Sequence, residues 1–131
     1  MQADGYVFFE LYVKDLEHYV AIFRDALGFR VIEDDGDFVK LGSSHGTVLL
    51  NATTSLPPDH PFAAYLSQPS RGMGVELGVV TRDLDRARTA ALVLEGCVVS
   101  EITTQEWGMR DFRVRSREGY FFRVTTPDDD A

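Results

Sequence analysis

The spacing of apolar residues changes at Asp15 from that of a strand to that of a helix. Residues 7–13 read VFFELYV, a run of aromatic and β-branched residues that is typical of a strand. Asp15 is a favourable N-cap, and Gly28 suits the left-handed conformation at which helices commonly end. Between them, apolar residues recur at intervals of three and four and predict one buried helix face: Leu16, Tyr19, Val20, Phe23 and Leu27.

The same change of spacing recurs at Asp83. The helix predicted to follow it ends at Gly96 and turns four apolar residues inward: Leu84, Ala87, Ala91 and Leu94. The turn DDGD, residues 34–37, separates two strand-like runs of the first half. Three strands are predicted after each helix, near residues 29–33, 37–41 and 47–52 and near residues 97–103, 110–115 and 120–125.

The two halves also match residue by residue. A shift of 68 places Asp15 on Asp83, and a shift of 73 places Gly46 on Gly119, so five residues are inserted around QEWGMR. An internal repeat of this kind determines the architecture. The sequence therefore predicts a single α+β domain made of two βαβββ modules, with a first module at 6–54, a linker at 55–72 that includes one helical turn near 62–66, a second module at 73–126 and a disordered acidic tail at 127–131.

The composition limits the kinds of partner that the protein is expected to bind. Thirteen basic against 21 acidic residues give a formal charge of −8, which disfavours nucleic acid as a partner. The one cysteine, Cys97, has no partner for an internal disulfide and lies in an apolar run, so a buried position and a reducing compartment are expected. No apolar run has membrane-spanning length, and the N-terminus does not have the pattern of a signal peptide. We therefore expect a cytoplasmic protein that does not bind membranes.

The repeated motifs VKDLE and TRDLD, each between a strand and a helix that ends at L-G or E-G, resemble those of the vicinal oxygen chelate superfamily. This superfamily contains glyoxalase I, extradiol dioxygenases, fosfomycin-modifying enzymes and bleomycin resistance proteins. The resemblance covers residues 6–126. It implies two curved mixed sheets around a cavity, paired in a homodimer. The fold alone does not identify the chemistry, because one fold hosts many functions.

Enzymes of this superfamily hold a divalent metal on the first and last strands of each module. Carried over motif by motif, the resemblance places these positions at Phe8, Leu50, Glu76 and Arg123. A divalent ion needs several oxygen or nitrogen ligands, and an arginine repels it. We therefore expect no metal and no cofactor, although a displaced site that uses Glu10 and Glu76 is conceivable. The three histidines lie outside this set, with His18 expected on an exposed helix surface.

The resemblance also places the first and last strands of a module side by side. An ion pair between Glu76 and Arg123 is therefore expected in the space that a metal would take. Two interpretations of this pair stay open. Either it only neutralises two charges on a sheet face, or Arg123 also offers spare donors to an oxygen of a ligand.

Side-chain alternation predicts which residues line the cavity. Phe9, Leu11 and Val13 are expected to pack on the helix, as are Phe112 and Val114. The inserted hairpin and the linker are expected to contribute at the mouth. The predicted lining consists of Phe8, Glu10, Tyr12, Phe38, Lys40, Val48, Leu50, Phe62, Tyr65, Glu76, Val80, Trp107, Met109, Arg110, Asp111, Arg113, Phe121 and Arg123. For Phe8 and Phe121 the alternative is a place in the dimer interface.

An aromatic cavity with few general bases favours binding of a flat or extended organic ligand. The W-G-x-R-x-F stretch, residues 107–112, is similar to one in bleomycin resistance proteins. The hypothesis is therefore a metal-free protein that sequesters a toxic small molecule, an aromatic or large antibiotic. The alternatives are an enzyme of the same superfamily, such as a lyase, isomerase or ring-cleaving dioxygenase with an atypical site, or a ligand-sensing subunit.

Overall fold

The computed structural model describes residues 7–66 and 72–127. The first half begins with a strand and a short helix, and three strands follow. Their bounds are β1 Phe9–Val13, α1 Leu16–Ala21, β2 Arg30–Asp34, β3 Phe38–Ser43 and β4 Gly46–Ala52. Two 3₁₀ turns follow at Thr53–Ser55 and Ala63–Tyr65, so the helical turn expected in the linker is confirmed.

The second half repeats this order with a divided strand. Its elements are β5 Glu76–Val80, α2 Leu84–Leu92, β6 Val98–Val99, β7 Thr103–Thr104, β8 Arg110–Arg115 and β9 Phe121–Thr125. The single strand expected near 97–103 is thus wrong. Ser100 interrupts it, because its hydroxyl accepts the backbone N–H of Arg113 at 2.8 Å. Parts of the predicted linker and tail, residues 67–71 and 128–131, lie outside the described residues.

The strands form two mixed sheets, which confirms the α+β class and the two βαβββ halves. The first sheet has the order β1-β4-β3-β2, and the second has the order β5-β9-β8-β6 with β7 paired to β8. In both sheets the first and last strands of the half are parallel neighbours. Pairing in a homodimer stays a prediction.

One hydrophobic core lies between the helices and the inner faces of both sheets. Phe23, next to the first helix, and Phe122, on β9, meet edge to face at 5.3 Å and connect the two halves. Both helices begin as predicted, because the Asp15 and Asp83 carboxylates accept the N–H groups of His18 and Arg86 at 3.1 Å. No helix within residues 7–66 or 72–127 is long and apolar enough to cross a membrane.

The first helix departs from the predicted apolar face. After Ala21 it continues as a π-helix over Ile22–Ala26. An α segment followed by a wider π segment averages about four residues per turn. The buried side chains therefore recur every four residues: His18, Ile22 and Ala26, and Tyr19, Phe23 and Leu27. Leu16 and Val20 are therefore only partly buried, and the expectation that His18 is exposed is wrong, since its exposure is 8%.

Polar contacts fasten the first helix to the hairpin between β8 and β9. The Tyr19 hydroxyl lies 2.8 Å from Ser116 Oγ and accepts the N–H of Glu118 at 3.2 Å. His18 Nε2 accepts the N–H of Arg117 at 3.3 Å. The two halves are thus held in a fixed arrangement by polar bonds in addition to the shared core.

The prediction that Leu50 lines the cavity is wrong. This residue is fully buried in the core, as is Val48 at 5% exposure, so neither residue lines the outer face of the sheet. The reason is a difference in loop length, because Gly42 to Thr47 is one residue shorter than the matching turn from Arg115 to Phe121. The strand register makes Leu49, beside Glu10, the counterpart of Arg123, beside Gly78.

Phe9 also departs from its predicted position. It is 46% exposed, whereas Leu11 and Val13 on the same side of β1 are buried. The first helix begins only after β1 ends, and Leu11 and Val13 belong to the same core cluster as its buried residues, whereas Phe9 does not. Phe9 therefore adds to the exposed apolar surface and does not contribute to the core.

Candidate functional site

The outer face of the second sheet gathers charged and aromatic side chains from three neighbouring strands. Glu76 lies beside Phe121, and Phe121 lies opposite Arg115. Two register positions further, Arg123 lies opposite Arg113. These side chains point away from the core, because Phe112, Val114, Phe122 and Val124 alternate with them and are buried.

Two ion pairs organise this face, and they differ from the predicted one. Arg113 Nε lies 2.6 Å from Glu76 Oε2, and Arg123 Nε lies 3.1 Å from Asp111 Oδ2. The expected Glu76–Arg123 pair is therefore wrong. The strands are neighbours as expected, but the register places Glu76 beside Phe121, and the long Arg113 side chain reaches Glu76 from β8. The hydrogen bond to Glu76, and then the negative charge of Glu76, raise the pKa of Arg113 above its usual value.

Asp111 is the buried centre of the cluster, with an exposure of 1%. Gln105, in the loop before β8, donates to both of its carboxylate oxygens at 2.9 and 3.1 Å. Arg123 completes its coordination and lies under the Trp107 ring, with 5.8 Å between the guanidinium carbon and the ring centroid. A cation under an indole is a favourable contact. The carboxylate is thus covered by the Gln105 amide from the loop and by the Arg123 guanidinium from β9, and the Trp107 ring lies over that guanidinium.

The loop before β8 places Trp107 on this face, but Arg110 lies on the other side of the sheet. Trp107 is 61% exposed, and Met109 is half-buried. Arg110 alternates with Asp111 along β8, and its guanidinium lies 3.7 Å from Asp85 of α2. The prediction that Arg110 lines the same surface as Trp107 is therefore wrong, because strand alternation turns it to the helix side.

The outer face of the first sheet carries a carboxylate in a defined setting. Glu10 Oε1 accepts the Tyr12 hydroxyl at 2.9 Å and the Asn51 amide at 2.7 Å. Burial, with the hydrogen bond to Glu10 second, raises the pKa of Tyr12 above its usual value of 10.0, so the phenol stays a donor. Lys40 and Leu49 share this face through direct register pairing.

Aromatic rings surround this carboxylate. Tyr12, His60 and Phe62 contact each other with ring centroids 5.2 to 5.3 Å apart, so the linker packs on β1 as predicted for Phe62. Phe38 is half-buried on the same face, opposite Asn51. Phe8 and Tyr65 are 52% and 60% exposed. These residues are available to a ligand or to a second protein surface.

Sequence reasoning missed four contributors to the two faces: Asn51, His60, Gln105 and Arg115. Arg115 lies over the Phe121 ring at 6.0 Å, and strand alternation from Arg113 already places it on this face. The others depend on loop paths and register. No signal in the sequence indicated them.

The residues at the superfamily's metal positions do not form a ligand set. These positions hold Phe8, Leu49, Glu76 and Arg123, and Glu76 is already bound to Arg113. Glu10, the other carboxylate considered, is on a different sheet and has its own donors. Within the described ranges, no group of three His, Cys, Asp or Glu side chains is arranged to hold a metal. A divalent ion bound beside Arg123 would be repelled by it.

A separate cleft of about 230 Å³ lies between the first helix and the β8–β9 hairpin. His18 is at its wall, 4.0 Å from Cys97 Sγ. Burial, and then the charge of Arg117, lowers the pKa of His18, while burial raises the pKa of Cys97 above its usual value. Both groups are therefore neutral near pH 7. They are half-buried or buried packing residues rather than a reactive pair.

The family assignment agrees with this architecture. A family model described as the Glyoxalase/Bleomycin resistance protein/Dioxygenase superfamily matches residues 5–124. The chain therefore belongs to this superfamily, and the resemblance stated from the repeated motifs is confirmed. No match was found among curated proteins.

Several solved structures share the fold. A protein of unknown function from Agrobacterium tumefaciens str. C58 has a TM-score of 0.72 and 23% identity, with 97% of each chain covered. A glyoxalase/bleomycin resistance protein/dioxygenase family enzyme from Burkholderia phytofirmans PsJN has a TM-score of 0.72 and 18% identity, covering 90% of this chain and 95% of that one. The bleomycin resistance determinant encoded on the transposon Tn5 has a TM-score of 0.62 and 14% identity, covering 95% and 99%. At these identities the similarity shows a common fold.

Proposed function

We propose that this protein binds and sequesters a toxic organic compound, such as an antibiotic, without a metal ion and without converting the compound. The observation that carries the proposal is the cluster on the second sheet. At two of the superfamily's metal positions this chain has Glu76 and Arg123, each in an ion pair with a residue of β8, and an exposed indole lies over Arg123. Such a surface offers aromatic area and hydrogen-bond donors, which binding requires, but no metal-ligand set.

The other polar groups of the two faces support binding rather than acid–base chemistry. Asp111 is covered by Gln105 and Arg123, and Glu10 is held by Tyr12 and Asn51. A catalytic carboxylate must reach the proton that it transfers. The similarity to a bleomycin resistance determinant is consistent with a role in resistance. The proposal includes a cytoplasmic location and a homodimer, with exposed Phe8 and Phe9 available at the interface.

A resistance assay in bacterial cells tests the proposal. Cells that express the protein are exposed to a panel of antibiotics, and the minimal inhibitory concentration is compared with that of cells expressing Trp107→Ala. Protection by the wild-type chain that is reduced by Trp107→Ala at equal protein level supports the proposal. Cells without protection against any compound of the panel, together with chemical modification of a panel compound by the purified protein, indicate an enzyme instead.

A further inference from the structure

The outer face of the second sheet is positively charged, although the whole chain has a formal charge of −8. Three arginines, Arg113, Arg115 and Arg123, share it with two carboxylates, Glu76 and Asp111, which leaves one net positive charge. Arg113 and Arg123 lie directly opposite each other on β8 and β9. Like charges in this position destabilise a sheet unless they have partners. Glu76 and Asp111 are those partners, and the face still carries one more guanidinium group than carboxylates, which favours an anionic ligand.

The hydrogen-bond pattern leaves the outer ends of both paired arginines free. In the part of the chain that the structure describes, Arg113 and Arg123 donate to Glu76 and Asp111 through Nε. A guanidinium has five N–H donors, and the four on its two terminal nitrogens remain. Arg123 is 30% exposed and Arg113 is 50% exposed at the side chain, so an incoming group can reach them. Two fixed guanidinium ends are suited to a carboxylate.

Aromatic surface lies next to these donors. Trp107 covers Arg123 and is 61% exposed, and Phe121 is half-buried under Arg115. A planar ring attached to a carboxylate can therefore contact Trp107 or Phe121 while its oxygens bind the arginines. The opposite arrangement exists on the first sheet, where Glu10 lies among Tyr12, His60 and Phe62. The charged group that those rings surround is thus a carboxylate and not a guanidinium.

We propose that the second sheet carries a subsite for aromatic carboxylates, in which Arg113 and Arg123 bind the carboxylate and Trp107 contacts the ring. This inference deepens the proposed function and rests on it for the biological role, since the sequestered compound would then carry an aromatic acid. Binding of the acid itself depends only on the residues of this face.

Three naphthalene probes of equal size test the subsite on the full-length protein. The probes are 2-naphthoate, the neutral 2-naphthamide and the cationic 2-naphthylmethylamine, and isothermal titration calorimetry gives each dissociation constant. We expect naphthoate to bind about tenfold or more tightly than the amide, since charge-assisted hydrogen bonds to a carboxylate are lost with the amide. The amine is expected to bind more weakly still. Absence of naphthoate binding at millimolar concentration overturns the subsite.

Variants identify the residues responsible. Arg113→Gln and the double variant Arg123→Gln/Asp111→Asn are each expected to weaken naphthoate binding about tenfold and to leave amide binding nearly unchanged. The double variant keeps Asp111 from being left as an unpaired buried charge. Arg30→Gln is the matched control, because it removes one exposed arginine from the first sheet and is expected to have no effect.

The outcomes separate the subsite from the proposed function. If the amine binds as tightly as naphthoate, or if Arg30→Gln weakens binding as much as Arg113→Gln, the carboxylate subsite is wrong while sequestration of another compound stands. If naphthoate binds with the expected dependence on the arginines but cells gain no protection against aromatic acids, the subsite stands and the resistance role is wrong.

Discussion

Replacing Arg123 with glutamine is expected to destabilise the protein by about 2 kcal/mol. Asp111 is 1% exposed and receives hydrogen bonds from Arg123 and Gln105. A hydrogen bond to a charged group contributes roughly 1.5–3 kcal/mol, and the loss is in the lower part of this range because the Gln105 bonds remain. For a chain of this length, about 2 kcal/mol corresponds to roughly 7 °C in melting temperature.

Arg113→Gln provides the comparison within the same sheet face. The Arg113–Glu76 pair is 50% and 37% exposed at its side chains, and exposed pairs contribute at most about 1 kcal/mol. Urea denaturation and thermal scanning of both variants measure the difference. Adding Asp111→Asn to Arg123→Gln is expected to recover more than half of the loss, because no buried charge is then left unpaired. A larger loss in Arg113→Gln than in Arg123→Gln would refute this assignment of the ion pairs.

Four further outcomes are expected. Trp107→Ala should weaken binding of the sequestered compound about thirtyfold, or about 2 kcal/mol. In the wild-type protein, the compound should quench the fluorescence of this single tryptophan. An unchanged affinity of Trp107→Ala in a titration contradicts the placement of the ligand. Because the pKa of His18 is lowered from 6.5 on folding, the stability that this histidine contributes is complete above pH 6.5 and decreases as the pH falls below it. His18→Gln should show a flatter dependence of unfolding free energy on pH between 5 and 7, and an identical slope contradicts the assignment. Light scattering should give the mass of a homodimer, and a monomer at micromolar concentration with intact binding excludes the proposed assembly. Elemental analysis should find no stoichiometric transition metal, whereas zinc, manganese or iron bound in a 1:1 ratio contradicts the metal-free account.

Local signals in the sequence were sufficient for the architecture. The start and end of each helix depend on contacts within a few residues, at the N-caps Asp15 and Asp83 and at the glycines that follow the helices, Gly28 and Gly96. The repeat follows from the similarity of the two halves. The first helix shows the limit of such reasoning. A π turn does not follow from the apolar spacing, and it buried His18 and Ile22 in place of Leu16 and Val20.

The candidate site depends more strongly on strand register than the architecture does, and the sequence predicted fewer of its contacts correctly. Because the turn before β4 is one residue shorter than its counterpart in the second half, Leu50 lies in the core and not in the predicted lining. Arg123 pairs with Asp111 beneath a loop that places Gln105 on Asp111 and Trp107 over Arg123. Asp111, which was predicted to line the cavity, is therefore buried. The predicted site residues on the strands that keep their assigned faces are Glu10, Tyr12, Phe38, Lys40, Glu76, Arg113, Phe121 and Arg123, and their binding of a ligand stays a prediction.

The central claim, binding without conversion, is tested most directly by recovering the compound. An antibiotic against which the protein protects cells is incubated with purified protein in tenfold molar excess over binding sites, and the mixture is denatured and quantified by mass spectrometry after minutes and after a day. We predict that all of the compound is recovered with unchanged mass and that one equivalent per site is retained before denaturation. Loss of the compound, or a product that exceeds the molar amount of protein, would show turnover and contradict the account.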